Sequence, residues 1–442
     1  MLYWTALPDW KVLLLVTLLW DYLCAEELKP TRWPLYPQKP LVMAWNAPTE
    51  DCGPRHGIHF QLEQFQIVAS PSKGFVRQNL TIFYKDRLGL YPYYKEHDGA
   101  VMNGGLPQVA SLTQHLEKMP EGIQYYIREA GAKGLAVIDW EEWRPLWIRN
   151  WDVKNVYRNQ SRQLVAQKNP AWPAERVAKV AQQEFEMSAR RFMLETLRLA
   201  KSLRPNQLWG FYLFPDCYNH DYKNTLENYT GRCPDVEVAR NEMLKWLWME
   251  STALFPSVYM GTVLRSSPSG RQFVRNRVKE GMRLASGGDG LARPVFVYAR
   301  PTYANVLELL TEASCSSLNE YLRGPLGRYL LNVTTAAELC SQTLCDSLGR
   351  CLRKHPDTDA YLHLSTRTHR IEPLANGKLK VQGQLGEDDI LGFQREFQCQ
   401  CYSGYQGEGC GQRDPQQQRG VAARIMVSWV HCLLLLLITL LL

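Results

Sequence analysis

Within this 442-residue chain, the segment GLAVIDWEEWRPLWIRNW, Gly134 to Trp151, holds the residue types and spacing best suited to chemistry. Its apolar first half reads as a buried strand. Asp139 and Glu141 follow at its end with the same side-chain parity, so both carboxyls can face one cavity. Crowded carboxylates resist joint ionisation, so one keeps a proton at mildly acidic pH and can protonate a leaving oxygen. Cleavage of a glycosidic bond demands this. Asp-x-Glu is also what a solvated acidic turn looks like. The strand before it and Trp140, Trp143, Trp147 and Trp151 around it favour the cavity, because aromatic faces line sugar-binding grooves, although core packing competes for the same rings.

The elements that must position these acids follow from the pattern between residues 39 and 301. Strand-like apolar runs fall at 41–45, 65–70, 80–84, 134–140, 208–214, 254–260 and 295–299. A long helix is predicted from Ala174 to Leu203, where Val177, Val180, Ala181, Phe185, Ala189, Phe192, Met193 and Leu197 recur at helical spacing between Pro173 and Pro205. Strands alternating with helices predict an α/β fold, a distorted TIM-like parallel barrel over 26–335, with chemistry at the carboxyl ends of its strands.

Composition excludes several classes. With 45% hydrophobic and 21% charged residues the chain is neither disordered nor fibrous. A net charge of +7 without dense basic runs argues against nucleic acid and leaves a polyanion as a possible partner. Residues 1–25, with the apolar run Val12 to Leu19 behind Lys11, read as a secretory signal peptide cut near Ala25, a retained signal anchor being the alternative. Residues 413–442 form a linker and an apolar tail from Ile425. The tail reads as a signal exchanged for a GPI anchor near Gly420 or Ala422, or as a retained tail anchor. Four sequons, at Asn79, Asn159, Asn228 and Asn332, fit the same compartment.

Twelve cysteines, less Cys24 and Cys432 in the terminal segments, leave an even set suited to an oxidising lumen. Residues 336–412 carry six of them, and CQCYSGYQGEGC places Gly404 and Tyr405 where an EGF-like module has its turn and aromatic. The natural pairing of such a module is Cys340–Cys351, Cys345–Cys399 and Cys401–Cys410, with 352–398 looped out as an insertion. Cys217 and Cys233 can close a small loop, leaving Cys52 for Cys315. Clustered cysteines can also hold zinc, but paired C-x2-C elements are missing.

The Gly134–Trp151 segment, LWGFYLFPDCYNHDY (Leu208 to Tyr222), WLWMESTALFPSVY (Trp246 to Tyr259) and RNWDVKNVYRNQSRQLV (Arg149 to Val165) closely resemble the vertebrate hyaluronidases, most of all the GPI-anchored type-two branch. The resemblance spans nearly the whole chain. It implies an endo-β-N-acetylhexosaminidase acting on hyaluronan, or on chondroitin, at the outer cell face, with no metal and no cofactor. Glu141 matches the family's proton donor, Asp139 the carboxylate that orients the substrate's acetamido group, and Tyr212 the tyrosine that hydrogen-bonds near it. Tyr84, Tyr259 and Arg277 match further substrate-groove positions. In this family the substrate's own N-acetyl oxygen is the nucleophile. Arg271, Arg275, Lys279 and Arg283 beside Arg277 make a basic face that a polymer of carboxylates could use.

The sequence departs from that pattern once. Family members have a further helix and a closing apolar strand, ending in a substrate-contacting Trp, between the strand represented by Val295 to Tyr303 and the cysteine matched by Cys315. Only Ala304 to Ser314 fill that interval here. An empty sheet position would expose ladder groups and open the core beside the cleft. A catalytically weak hyaluronan-binding receptor is therefore the alternative function.

Overall fold

The computed structural model describes residues 28–68, 78–224, 226–302, 311–375 and 378–415. The expected signal peptide and hydrophobic tail lie outside the described residues, as do 303–310 in the shortened interval. Among the described residues no helix is long and apolar enough to cross a membrane.

Strands β1 (Met43–Ala44) and β2 (Ile67–Val68) pair in parallel. Strands β3 (Leu80–Tyr84), β6 (Gly134–Asp139) and β7 (Gln207–Phe211) form a parallel sheet in that order, and a short hairpin, β4 (Tyr93–Tyr94) with β5 (Val101–Met102), follows β3. Parallel bridges Tyr212–Phe255, Leu254–Val295 and Ser257–Tyr298 continue the series by two more extended segments. On the 295–298 side they remain bridges because Pro256 has no N–H to give a ladder. Helices fill the crossovers: α1 (Cys52–His56), α2 (Leu112–Tyr126), α3 (Asn155–Lys168), α4 (Ala174–Leu203), α5 (Asp235–Met243), α6 (Lys245–Glu250) and α7 (Pro268–Ala285). All members of the series run one way, so their carboxyl ends meet at one edge.

The expected closed barrel is not formed among the described residues. The series ends at 295–298, β1 and β2 stand as a separate pair, and by Glu312 the chain has entered helix α8 (Glu312–Tyr321). What is present is a mixed α/β fold around an open parallel sheet.

Alternation divides the sheet's side chains between two cores. Phe83, Ala136, Ile138, Trp209 and Phe211 pack outward with Phe185, Ala189 and Phe192 of α4. Leu80, Ile82, Leu135, Val137, Leu208 and Phe255 pack on the inner face, with Tyr84, Tyr212, Phe296 and Tyr298 against them. Each large side chain so buried stabilises the fold by about 1.5–3 kcal/mol. The sheet closes up beside Gly210 because a Cβ there would lie 2.3 Å from the Ala253 carbonyl oxygen.

Helix α9 (Gly327–Leu344) runs unbroken across the expected boundary at 335/336 and carries Cys340. Beyond it, β8 (Gly349–Arg353) pairs with β11 (Phe397–Cys401), β9 (His369–Pro373) with β10 (Leu379–Gly383), α10 spans Glu387–Glu396, and β12 (Tyr405–Gln406) pairs with β13 (Gln412–Arg413). Disulfides join Cys52–Cys315, Cys217–Cys233, Cys340–Cys351, Cys345–Cys399 and Cys401–Cys410. The 352–398 stretch is not merely looped out. It supplies β9, β10 and α10, and it docks on α7, where Lys279 Nζ donates to both Asp357 oxygens at 2.8 Å and Arg275 pairs with Asp359.

Candidate active site

The inner-face row of β6 is Leu135, Val137, Asp139, so the first polar residue after the apolar run emerges at the carboxyl end of the strand and faces inward. Tyr84 sits opposite Asp139 in the β3–β6 register. Tyr212 follows β7 and donates its backbone N–H to Ile138 O at 2.9 Å. Three neighbouring strand ends thus deliver a carboxyl and two phenols to one place.

Asp139 is held protonated up to about 7, first by burial, then by the charges of Glu141 and Glu142 and a hydrogen bond with Glu141, with Arg144 opposing. Its Oδ1 is buried and has no partner. Glu141 is more open, its side chain 48% exposed, with Arg144 Nη2 at 3.5 Å from Oε2. Arg144 Nη1 also donates to the Glu141 carbonyl at 2.9 Å, and Lys154 Nζ donates to the same oxygen. Glu142 is drawn aside by Lys85 at 2.6 Å, which leaves Asp139 and Glu141 as the facing pair.

Tyrosines gather around the acids. Burial and then the charge of Asp139 raise the Tyr84 phenol, and Arg87 covers its ring at 4.6 Å. Burial raises Tyr212 furthest, followed by Tyr259, to which it is hydrogen-bonded, and then Glu141 and Asp139. Arg300 lies 4.2 Å over the Tyr259 ring. Tyr298, which sequence reasoning placed only in a strand, belongs here too. Its ring is 4.9 Å from that of Tyr212, and its buried hydroxyl has no partner and feels Tyr259, Asp139 and Tyr84.

Other candidates are placed differently. Arg277 is 8% exposed, and its guanidinium donates to Asn219 Oδ1 at 2.8 Å and Ser257 O at 2.9 Å, lies 3.6 Å from Asp216, and meets His220 Nε2 at 3.0 Å. It pins the 216–220 loop. His220 is pushed down to about 4 by burial and by Arg277. The basic face around Arg277 is not available to a polymer as expected: Arg275 and Lys279 are spent on 357–361, and Arg283 pairs with Glu280 and Glu242. Trp140, Trp143 and Trp147 pack in the core, stacked with Tyr91 or edge-on to Phe185. Trp151 alone of the four is exposed. Of the sequon residues, Asn79, Asn159 and Asn228 are exposed, while Asn332 is partly buried and its Oδ1 accepts from Leu364 N at 3.0 Å. Among the described residues no cluster of His, Cys, Asp or Glu could hold a metal ion.

A parallel α/β sheet presenting two coupled acids beneath a ring of phenols is the architecture of a glycosidase. The sequence matches the hyaluronidase family profile over residues 30–314 and 310–414, and the chain belongs to that family. It is 48% identical to Hyaluronidase-2 of Homo sapiens, across 90% of this chain and 91% of that protein, and 44% identical to Hyaluronidase-1 of Bitis arietans, across 86% and 92%. The fold is similar to that of bee venom hyaluronidase in complex with a hyaluronic acid tetramer, with a TM-score of 0.57 and 28% identity over 65% of this chain and 98% of that one.

Proposed function

We propose that this chain hydrolyses the β-1,4 linkages of hyaluronan as an endo-β-N-acetylhexosaminidase, by substrate-assisted general acid catalysis that retains configuration. Glu141 gives its proton to the glycosidic oxygen as that bond breaks. The substrate's acetamido oxygen closes on the anomeric carbon. Asp139, which yields the pair's proton to Glu141 when the acetamide N–H donates to its free oxygen, then balances the positive ring as an anion. Water then reopens the ring, with Glu141 taking back a proton. Tyr212 and Tyr259 hold the acetamide, Tyr84 borders it, and Arg277 fixes the loop behind them. The observation that carries this reading is the buried, unpartnered Asp139 oxygen beside Glu141, an acceptor awaiting a donor next to a second acid.

The five disulfides support folding in an oxidising compartment, and we place the protein in the secretory pathway, held at the outer membrane face by a GPI or tail anchor. Glu141→Gln preserves shape without the acid, so generation of reducing ends from hyaluronan by the secreted protein should fall at least about 100-fold. Equal activity in the variant refutes the assignment. The second reading, a hyaluronan receptor without turnover, draws on the 295–298 segment, whose far side pairs with no strand among the described residues. Wild-type protein that retains the polymer but makes no new chain ends supports it. Chondroitin as a parallel substrate measures selectivity.

A further inference from the structure

Trp151 and Tyr218 are large aromatics left 41% and 36% exposed, and their rings meet at 90° with centroids 5.7 Å apart. Neither is needed for a core. Both are held by non-glycine residues in the left-handed region: Tyr218 itself has φ +46°, and Asp152, next to Trp151, has φ +50°. Such conformations cost about 1–3 kcal/mol each and persist where the surroundings enforce them. Here the enforcement is visible. Tyr218 N–H donates to Asp216 Oδ1 at 3.0 Å, and the Arg149 guanidinium lies 5.1 Å over the Tyr218 ring while pairing with Glu237.

The pair is also tied directly to the acid. Asn150, immediately before Trp151, exchanges two hydrogen bonds with the Arg144 backbone, at 2.8 and 2.9 Å, and Arg144 contacts Glu141. Lys154 donates its backbone N–H to Trp151 O at 3.1 Å and its Nζ to the Glu141 carbonyl. The chain that carries Trp151 is therefore bonded to the same two residues, Arg144 and Lys154, whose cations reach the Glu141 carbonyl.

We propose that Trp151 and Tyr218 form an outlying subsite on which a pyranose of the bound polymer stacks, at a distance from the bond being cut, with the uronate carboxylate next to it drawn to Arg144 and Lys154. A sugar ring offers an apolar C–H face to an aromatic ring and its carboxylate to a cation, and this polymer carries both. This rests on the hyaluronan reading above and assigns the pair a role in chain-length preference rather than in bond cleavage.

The test compares long hyaluronan with a short oligosaccharide that fills only the cleavage site. Trp151→Ala should raise KM for the polymer roughly tenfold with kcat within about twofold, and should alter the product-length distribution. On the short substrate it should change KM by less than about twofold, and Trp151→Phe should restore most of the polymer KM. Tyr218→Ala should give a similar loss, and the double variant should lose less than the sum, as for residues acting on one ring. Val153→Ser, at a 73% exposed neighbour with no ring, is the control and should leave KM alone. An unchanged polymer KM in Trp151→Ala overturns the proposal, as does an equal loss on both substrates or additive losses. Wild-type protein inert on hyaluronan would instead sink the underlying glycosidase reading.

Discussion

Replacing Asp139 by Asn should abolish activity and yet make the protein more stable at neutral pH. The carboxyl is raised from 3.8 to about 7, chiefly by burial and by Glu141. Between those limits the folded protein keeps a proton that the unfolded chain has released. Where the folded state binds more protons, stability falls as pH rises, so the penalty is absent below about pH 4 and complete above about pH 7. About three units at 1.36 kcal/mol each give an upper value near 4 kcal/mol, part of which belongs to the pair. Asp139→Asn keeps the shape and removes the charge, so it should gain about 2–4 kcal/mol at pH 8, a rise of roughly 2–5 °C in the thermal midpoint of a chain this long. At pH 4 the two proteins should melt together. Thermal melts of both secreted proteins at half-unit steps from pH 4 to 8 measure this. A difference that stays flat with pH, or a variant less stable at pH 8, refutes the idea of a buried coupled acid.

Further outcomes follow from the packing. Arg277→Ala strips donors from Asn219 and Ser257, both buried, and should cost about 3 kcal/mol in thermal unfolding. It should also raise KM, because the 216–220 loop loses its anchor. Gly210→Ala drives a methyl against the Ala253 carbonyl, so about 1–3 kcal/mol of stability should be lost, read as a lower melting point and reduced secretion.

What could be read from the sequence was whatever local pattern decides. The run GLAVID is buried on both faces in β6, and the apolar stripe from Val177 to Leu197 is the buried face of α4. The parity of Asp139 with Val137 needed only strand alternation. What could not be read depends on partners distant in sequence. Trp140, Trp143 and Trp147 turn to the core because Tyr91, Phe185 and Phe192 wait there. Arg275 and Lys279 resemble a free basic face until 357–361 folds onto α7. Tyr298 gains meaning only when its segment lies beside Tyr212. The run LFPSVYM looked like a full strand, but Pro256 reduces it to bridges.

The most direct test is an infrared titration of the two site carboxyls, taken as the difference between wild type and Asp139→Asn. A protonated-carboxyl band that persists through mildly acidic pH and disappears near pH 7 is expected of acids that share one proton. A band that is already gone by pH 5 would contradict the shared proton, and with it the proposed acid chemistry at Glu141.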